Sequence, residues 1–160
     1  RMSGAIEAQG GVIDKFIGDA IMALFGAPVA QGGAAARAVA AALAMEEALV
    51  ALNAELAAEG RPPLGIGVGI NTARVVAGNI GSLRRLNYSV IGDGVNVAAR
   101  LQSLTRTPKY HTNIIVSAAT VRAAPSAAPW RALGPIVVKG RAEPVEIFAV
   151  EASPPIEEAA

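Results

Sequence analysis

The fold is decided by residues 11–26, which read GVIDKFIGDAIMALFG. Two apolar runs, at 12–17 and 20–25, stand on either side of the dipeptide Gly18-Asp19. Glycine supplies the positive φ that a tight hairpin turn requires, and aspartate tolerates turns well. The stretch therefore predicts two short strands joined at Gly18-Asp19.

Two opposite charges, Lys15 and Asp19, lie four residues apart in this apolar hairpin. Charge is costly to bury unless a partner neutralises it. A carboxylate held at a rigid turn beside a strand lysine suits a metal-bound polyphosphate and the molecule attached to it. Aspartates in turns and lysines at strand ends are also ordinary surface residues. The pair alone therefore does not indicate a functional site, and the rest of the chain decides between the two interpretations.

A second segment of the same character, residues 88–101, reads YSVIGDGVNVAARL. Its later part opens a predicted helix over residues 95–104. Asn96 and Arg100 are four residues apart in this helix and therefore share one face, while their apolar neighbours serve packing. On an isolated helix such a pair is most simply a solvated face.

Composition narrows the function classes. The 160 residues indicate one domain, and the 52% apolar content with mean hydropathy +0.42 owes much to alanine. A net charge of +1 and 4% aromatic residues give no reason to expect nucleic-acid binding. No run of 18 apolar residues is free of glycine, proline and charge, so we expect no direct membrane contact. The absence of cysteine excludes thiol catalysis and fits a reducing cytoplasm.

The remaining chain alternates helical and strand patterns. Residues 34–58 form a long predicted helix, and residues 64–71 alternate apolar residues with Gly65, Gly67 and Gly69. Glycines on one strand face indicate that a helix or another backbone packs closely there. Further strands are predicted at 75–78, 88–91, 113–116, 130–133, 136–138 and 145–151, with a polar loop at 81–87 and a short helix capped by Ser117. This order indicates an α+β fold.

Together these segments resemble the catalytic domain of class III nucleotide cyclases, and adenylyl cyclases in particular. The resemblance covers about residues 5–151 and is carried by the hairpin, by Gly78-Asn-Ile-Gly81-Ser, by the block at 88–101 and by Lys139-Gly140. It implies a ferredoxin-like βαββαβ arrangement with a mixed or antiparallel sheet flanked by helices.

The resemblance also implies how the purine is read. Lys15 occupies the position that selects adenine, and an ammonium, which only donates hydrogen bonds, fits a ring-nitrogen acceptor. Ser89 occupies the second adenine-reading position and places this chain with the subgroup that carries a hydroxyl there. Some members of that subgroup respond to bicarbonate, so bicarbonate sensitivity is a further hypothesis.

The same resemblance gives roles to the charged and polar residues. Asp19 is one of two metal-binding aspartates for Mg²⁺ or Mn²⁺, with two ions in each complete site. Asn96 orients the ribose, and Arg100 stabilises phosphate charge in the transition state. Lys139 contacts the terminal phosphates from a hairpin.

The second metal aspartate of the family belongs to an earlier strand that this chain does not match. Asp14 is the nearest earlier acid, but strand alternation places it opposite Lys15, and we do not accept it as a replacement. The expectation is therefore a cyclase domain over residues 1–151 that lacks its first strand and most of its first helix, followed by a linker at 152–160. We expect this chain by itself to have little or no cyclase activity.

Family members pair head to tail, and one partner supplies the metal carboxylates while the other supplies the lysine, asparagine and arginine. This chain has both kinds, which predicts a symmetric homodimer that binds ATP and forms 3′,5′-cyclic AMP and pyrophosphate in the cytoplasm.

Three alternatives stay open. One is a cyclase-like dimerisation or nucleotide-sensing module without turnover, and another is a guanylyl cyclase. The third is a diguanylate-forming or polymerase-palm enzyme, which would typically carry a Gly-Gly-Asp/Glu-Glu-Phe hairpin that this sequence does not have.

Overall fold

A computed structural model describes the backbone of residues 1–82 and 85–151, and the side chains of these residues outside 79–89. Its elements, in chain order, are α1 (Met2–Ala8), β1 (Val12–Ile17), β2 (Ala20–Leu24), α2 (Ala34–Ala58), β3 (Val68–Ile70), β4 (Val76–Ser82), β5 (Arg85–Ile91), α3 (Asp93–Leu104), β6 (Ile114–Ser117), α4 (Ala118–Ala123), β7 (Trp130–Ile136) and β8 (Val145–Val150). A short 3-10 turn, Pro108–Tyr110, precedes β6. The α+β prediction is confirmed.

The described strands form one four-stranded sheet and two hairpins. The larger sheet has the order β3-β6-β8-β7, in which β3 and β6 are parallel and the other neighbours are antiparallel. The pairs β1-β2 and β4-β5 are separate antiparallel hairpins. The mixed sheet expected from the sequence is therefore present.

Two apolar clusters cover opposite faces of the larger sheet, as alternation along β6 requires. Ile115 packs with the buried face of α3, together with Ile147 and Val138. Ile114 and Val116 point the other way and pack against α2. Because both faces of the sheet are covered by helices, α3 is held against a rigid support.

Two of the three glycines of the 64–71 segment, Gly67 and Gly69, lie under a helix as predicted, and Gly65 does not. A Cβ atom at Gly69 would clash with the Ala98 carbonyl oxygen and the Gln102 nitrogen, and would lie 2.9 Å from the Gln102 Cα. A Cβ at Gly67 would meet Thr105, whereas one at Gly65 would meet nothing within 4 Å. The backbone of α3 therefore rests directly on β3, which only glycine permits.

Several predicted boundaries were wrong, including that of β7, which runs unbroken from Trp130 to Ile136. Residues 64–67 are not a strand, because the backbone N–H and C=O of Leu64 bond to the side chain of Asn53 instead of a neighbouring strand. The polar segment predicted as a loop at 81–87 belongs largely to the β4-β5 ladder, which pairs Ser82 with Arg85. Residues 137–138, predicted as strand, leave the sheet after Ile136.

The N-terminal hairpin has the predicted turn. Gly18 adopts φ +62°, and β1 pairs with β2 from Val12 opposite Leu24 to Ile17 opposite Ala20. The register shifts between Ile13 and Lys15, so that Asp14 is an extra residue in a β-bulge. The linker predicted at 152–160 lies outside the described residues. Among the described helices, none combines the length and apolar character that a membrane span requires.

Candidate active site

A groove of about 640 Å³ lies between α3 and the segment that follows β7. Five residues line it: Asn96, Arg100, Val137, Val138 and Lys139. Three of these five are residues that the sequence singled out for ribose and phosphate contacts. The fold thus brings together two parts of the chain that are distant in sequence.

Helix α3 presents Asn96 and Arg100 because its other face is packed. Val97 and Leu101 are fully buried against the sheet, while Asn96 and Arg100 are exposed. A spacing of four residues aligns the two polar side chains along the groove. The close packing of the α3 backbone against Gly69 determines the distance between this polar face and the sheet.

The opposite wall is the segment after β7. Val138 is buried in the cluster beneath α3, whereas Val137 is 76% exposed. Lys139 is exposed and precedes Gly140, whose φ of +90° turns the chain back toward β8. Burial of Val138 anchors this wall, and the turn at Gly140 leaves Lys139 at the groove.

The groove carries unneutralised positive charge. Among the side chains that the structure describes, neither Arg100 nor Lys139 has an acidic partner within 4.0 Å. Two cations facing one groove favour an anionic ligand with several charges, such as a polyphosphate.

Two contacts hold the N-terminal end of α3 in place, and no local sequence pattern predicts either. The Asn71 amide donates a hydrogen bond to the Gly94 carbonyl at 3.0 Å. The Asp93 carboxylate forms an ion pair of 3.3 Å with Arg141, which follows the Lys139 turn. The first contact ties α3 to the residue after β3, and the second joins the two walls of the groove.

The hairpin residues Lys15 and Asp19 are not among the groove-lining residues. Asp19 is exposed at the tip of the turn, and Lys15 is 46% exposed with its Nζ 3.2 Å from an Asp14 oxygen. The hairpin ends in two exposed apolar side chains, Phe16 and Ile17, which are 64% and 59% exposed.

The N-terminal hairpin exposes one carboxylate that is chemically suited to a divalent metal. The exposed Asp19 carboxylate is a hard oxygen ligand of the kind that Mg²⁺ and Mn²⁺ prefer. No group of three or more His, Cys, Asp or Glu residues suited to one metal ion occurs among the described residues. Asp19 is therefore available as a single oxygen ligand.

Comparisons with known proteins identify the family of this domain. The Adenylate and Guanylate cyclase catalytic domain family matches residues 6–152. The chain belongs to this family. An adenylate cyclase from Anabaena cylindrica is 39% identical over 158 residues, which is 94% of this chain and 30% of that protein.

Two solved cyclase structures are similar over nearly the whole chain. The adenylyl cyclase CyaB from P. aeruginosa has a TM-score of 0.86 and 36% identity, covering 96% of this chain and 78% of that one. The guanylyl cyclase Cya2 has a TM-score of 0.79 and 38% identity, covering 98% and 78%. The chain spans 22% to 30% of the length of the curated relatives that it matches.

Within this cyclase domain, the predicted site residues fall into two groups. Asn96, Arg100 and Lys139 line one groove, whereas Lys15 and Asp19 share the separate N-terminal hairpin. The side chain of Ser89, the second predicted adenine reader, lies outside those that the structure describes. The backbone of Ser89 lies in β5, opposite Gly78 of β4.

Proposed function

We propose that this domain converts ATP to 3′,5′-cyclic AMP and pyrophosphate at a site that two copies of the domain complete together. The proposal is supported chiefly by the groove that gathers Asn96, Arg100 and Lys139, because a ribose contact and two phosphate contacts are what this reaction needs side by side.

In the proposed reaction the ribose 3′-oxygen attacks the α-phosphorus in line. The new bond joins O3′ to the α-phosphorus, the bond from that phosphorus to the bridging oxygen breaks, and pyrophosphate leaves with the electron pair. The proton of the 3′-hydroxyl is released. Arg100 faces the charge that grows on the phosphoryl oxygens, and a positioned cation that does so is usually a large catalytic contribution.

The other two groove residues bind and orient the substrate. Lys139 attracts the terminal phosphates, which become the leaving pyrophosphate, and Asn96 holds the ribose so that O3′ approaches the α-phosphorus. When bound, divalent Mg²⁺ or Mn²⁺, two ions in each site, would neutralise phosphate charge and favour loss of the hydroxyl proton. Asp19 would supply one carboxylate ligand to these ions, and the other carboxylates would come from outside the described residues.

We further propose that a second copy brings its hairpin to this groove in a head-to-tail homodimer. Lys15 and Asp19 belong to a hairpin that does not line the groove of its own chain. The same hairpin exposes Phe16 and Ile17 at its end, and exposed apolar side chains of this size favour burial in an interface.

The choice of ATP over GTP is also part of the proposal, since both adenylyl and guanylyl cyclases are similar to this chain. Lys15 supports ATP because an ammonium can donate to a purine ring nitrogen and cannot accept from the donor edge of guanine. A guanylyl cyclase is the second candidate, supported by the similarity to Cya2.

The deciding experiment measures both cyclic nucleotides. The whole gene product that contains residues 1–160 is incubated with equal ATP and GTP in Mn²⁺, and the products are resolved by mass spectrometry. We expect cyclic AMP in excess, and loss of it in Arg100→Ala. An excess of cyclic GMP would assign the guanylyl activity instead, and the absence of both products with intact nucleotide binding would identify a sensing module.

The 160-residue chain alone serves as a further comparison. The resemblance assigns only one metal-binding aspartate, Asp19, to this chain. We therefore expect the 160-residue chain to form little or no cyclic AMP from ATP in the presence of Mn²⁺. Robust turnover by this chain alone would show that its own residues complete the metal site.

A further inference from the structure

Asp14 occupies an unusual position next to the proposed adenine-reading lysine. The pairing of β1 with β2 steps from Ile13 opposite Ala23 to Lys15 opposite Met22, so Asp14 has no partner in the ladder. Regular alternation would point neighbouring side chains to opposite faces of a strand. The bulge instead brings an Asp14 oxygen to 3.2 Å from the Lys15 Nζ.

The two charges of this pair have very different surroundings. The Asp14 side chain is 1% exposed, and the Lys15 side chain is 46% exposed. Both Asp14 oxygens are buried, and neither accepts a hydrogen bond from any described residue. The buried carboxylate is therefore balanced by an ammonium that still reaches solvent, where a ligand can meet it.

A buried carboxylate has a strong requirement for positive charge nearby. Removing one partner of a buried ion pair leaves an uncompensated charge and is strongly destabilising. An acidic residue at position 15 would be worse, because it would place a second negative charge beside the first. The environment of Asp14 thus restricts which side chains position 15 accepts.

We propose that Asp14 is a specificity-positioning residue: its buried carboxylate fixes the Lys15 ammonium toward the purine and excludes an acidic purine reader at position 15. This inference rests on the proposed function, in which Lys15 reads adenine. Nucleotide preference then depends on the pair and not on Lys15 alone, and a change of preference requires changes at both positions.

The test is a double-mutant cycle with two readouts. Asp14→Asn, Lys15→Glu and the double variant are made in the whole gene product, with Glu59→Gln as control. Glu59 also pairs with a nearby cation, Arg61, at 3.3 Å, but it is exposed on the surface. Thermal unfolding midpoints report the charge coupling without any catalysis, and competition between ATP and GTP for binding reports specificity.

We expect Lys15→Glu to lower the unfolding midpoint and to bind both nucleotides poorly. Adding Asp14→Asn is expected to restore the midpoint and to move the preference toward GTP roughly tenfold relative to the wild type, since a charged contact is being exchanged. Asp14→Asn alone is expected to weaken ATP binding and to narrow the ratio of ATP to GTP affinity, and Glu59→Gln is expected to change neither readout.

Two outcomes would overturn the inference. One is an unfolding midpoint of Lys15→Glu that is the same with and without Asp14→Asn. The other is an ATP:GTP ratio unchanged by Asp14→Asn in a protein that discriminates between the nucleotides. A wild-type protein that binds neither nucleotide would overturn the proposed function and, with it, the specificity role of Asp14. The thermal midpoints need no nucleotide, so they would still show whether Asp14 excludes an acidic side chain at position 15.

If Asp14→Asn does not fold, Asp14→Glu takes its place. This substitution keeps the negative charge and moves the carboxylate. The positioning role therefore predicts an altered ratio of ATP to GTP affinity. The unfolding midpoint of Lys15→Glu should stay low when Asp14→Glu is added. An unaltered ratio in a folded Asp14→Glu protein counts against the inference.

Discussion

The carboxylate of Asp93, the first residue of α3, lies 3.3 Å from the guanidinium of Arg141, just beyond the turn that carries Lys139. The two walls of the groove are thus joined by a direct charge contact. The side chains are 50% and 40% exposed, so solvent screens the pair and its contribution to stability is small, about 0–1 kcal/mol. Its effect should appear in how well Lys139 is held at the groove.

The first prediction concerns this contact. Arg141→Gln is expected to raise KM for ATP about two- to fivefold with a smaller effect on kcat, because a freer turn places Lys139 less often at the phosphates. The wild-type KM should rise with ionic strength more steeply than that of the variant. Steady-state kinetics at 50 and 300 mM salt, roughly either side of physiological screening, would measure this.

Arg61→Gln is the control for Arg141→Gln, since Arg61 forms a similar exposed ion pair of 3.3 Å far from the groove-lining set. Hydrogen exchange of the amides at 137–141 gives a second measurement, and we expect faster exchange in Arg141→Gln alone. Equal exchange in both variants would mean that the Asp93–Arg141 contact does not hold the turn.

The second prediction concerns the seat of α3. Gly69→Ala is expected to destabilise the protein by about 2–4 kcal/mol, because the new methyl group meets the backbone of α3, which cannot move aside as a flexible side chain can. Gly65→Ala is the matched control, since a Cβ there meets nothing within 4 Å. Denaturant unfolding of both variants measures the difference.

A folded Gly69→Ala protein should also lose cyclase activity, because displacement of α3 moves Asn96 and Arg100 away from the Lys139 wall. Equal unfolding free energies for Gly69→Ala and Gly65→Ala would contradict the close contact between β3 and α3.

The sequence was sufficient where the local backbone itself imposes a requirement. The turn at Gly18-Asp19 and the glycine face under α3 were predicted correctly, because a tight turn and a close backbone approach both need glycine. The helix predicted at 34–58 was confirmed to the residue, since glycines border it on both sides.

The sequence could not predict features that depend on how separate elements pair and pack. The bulge at Asp14 arises from its pairing with β2, and nothing in residues 12–17 alone marks it. The Asp93–Arg141 contact and the departure of residues 137–138 from the sheet depend on how β7 and α3 meet in space. The hydrogen bond of Asn71 likewise could not be predicted, because it requires the Gly94 carbonyl of α3 to lie beside the end of β3.

The third prediction separates catalysis from binding at Arg100. Arg100→Ala is expected to lower kcat about 10²-fold or more with a smaller change in KM, because the guanidinium acts on charge that develops in the transition state. Arg100 is exposed, so the unfolding midpoint should be nearly unchanged. Arg122→Ala, on the surface of α4, is the control. A rise in KM with kcat intact would instead make Arg100 a ground-state phosphate contact.

The last prediction concerns metal dependence at Asp19. Asp19→Asn keeps a residue that favours tight turns, and its exposed position places no demand on packing, so the fold should be retained. The Mn²⁺ concentration for half-maximal cyclic AMP formation should rise at least tenfold, since an amide oxygen is a much weaker ligand than a carboxylate. Glu143→Gln, exposed in the segment before β8, controls for the loss of one negative charge.

A metal titration is the right measurement because activity at one Mn²⁺ concentration would not separate weaker metal binding from slower chemistry. If Asp19→Asn and Glu143→Gln have the same Mn²⁺ dependence, then Asp19 is a turn residue and the metal is held by other groups.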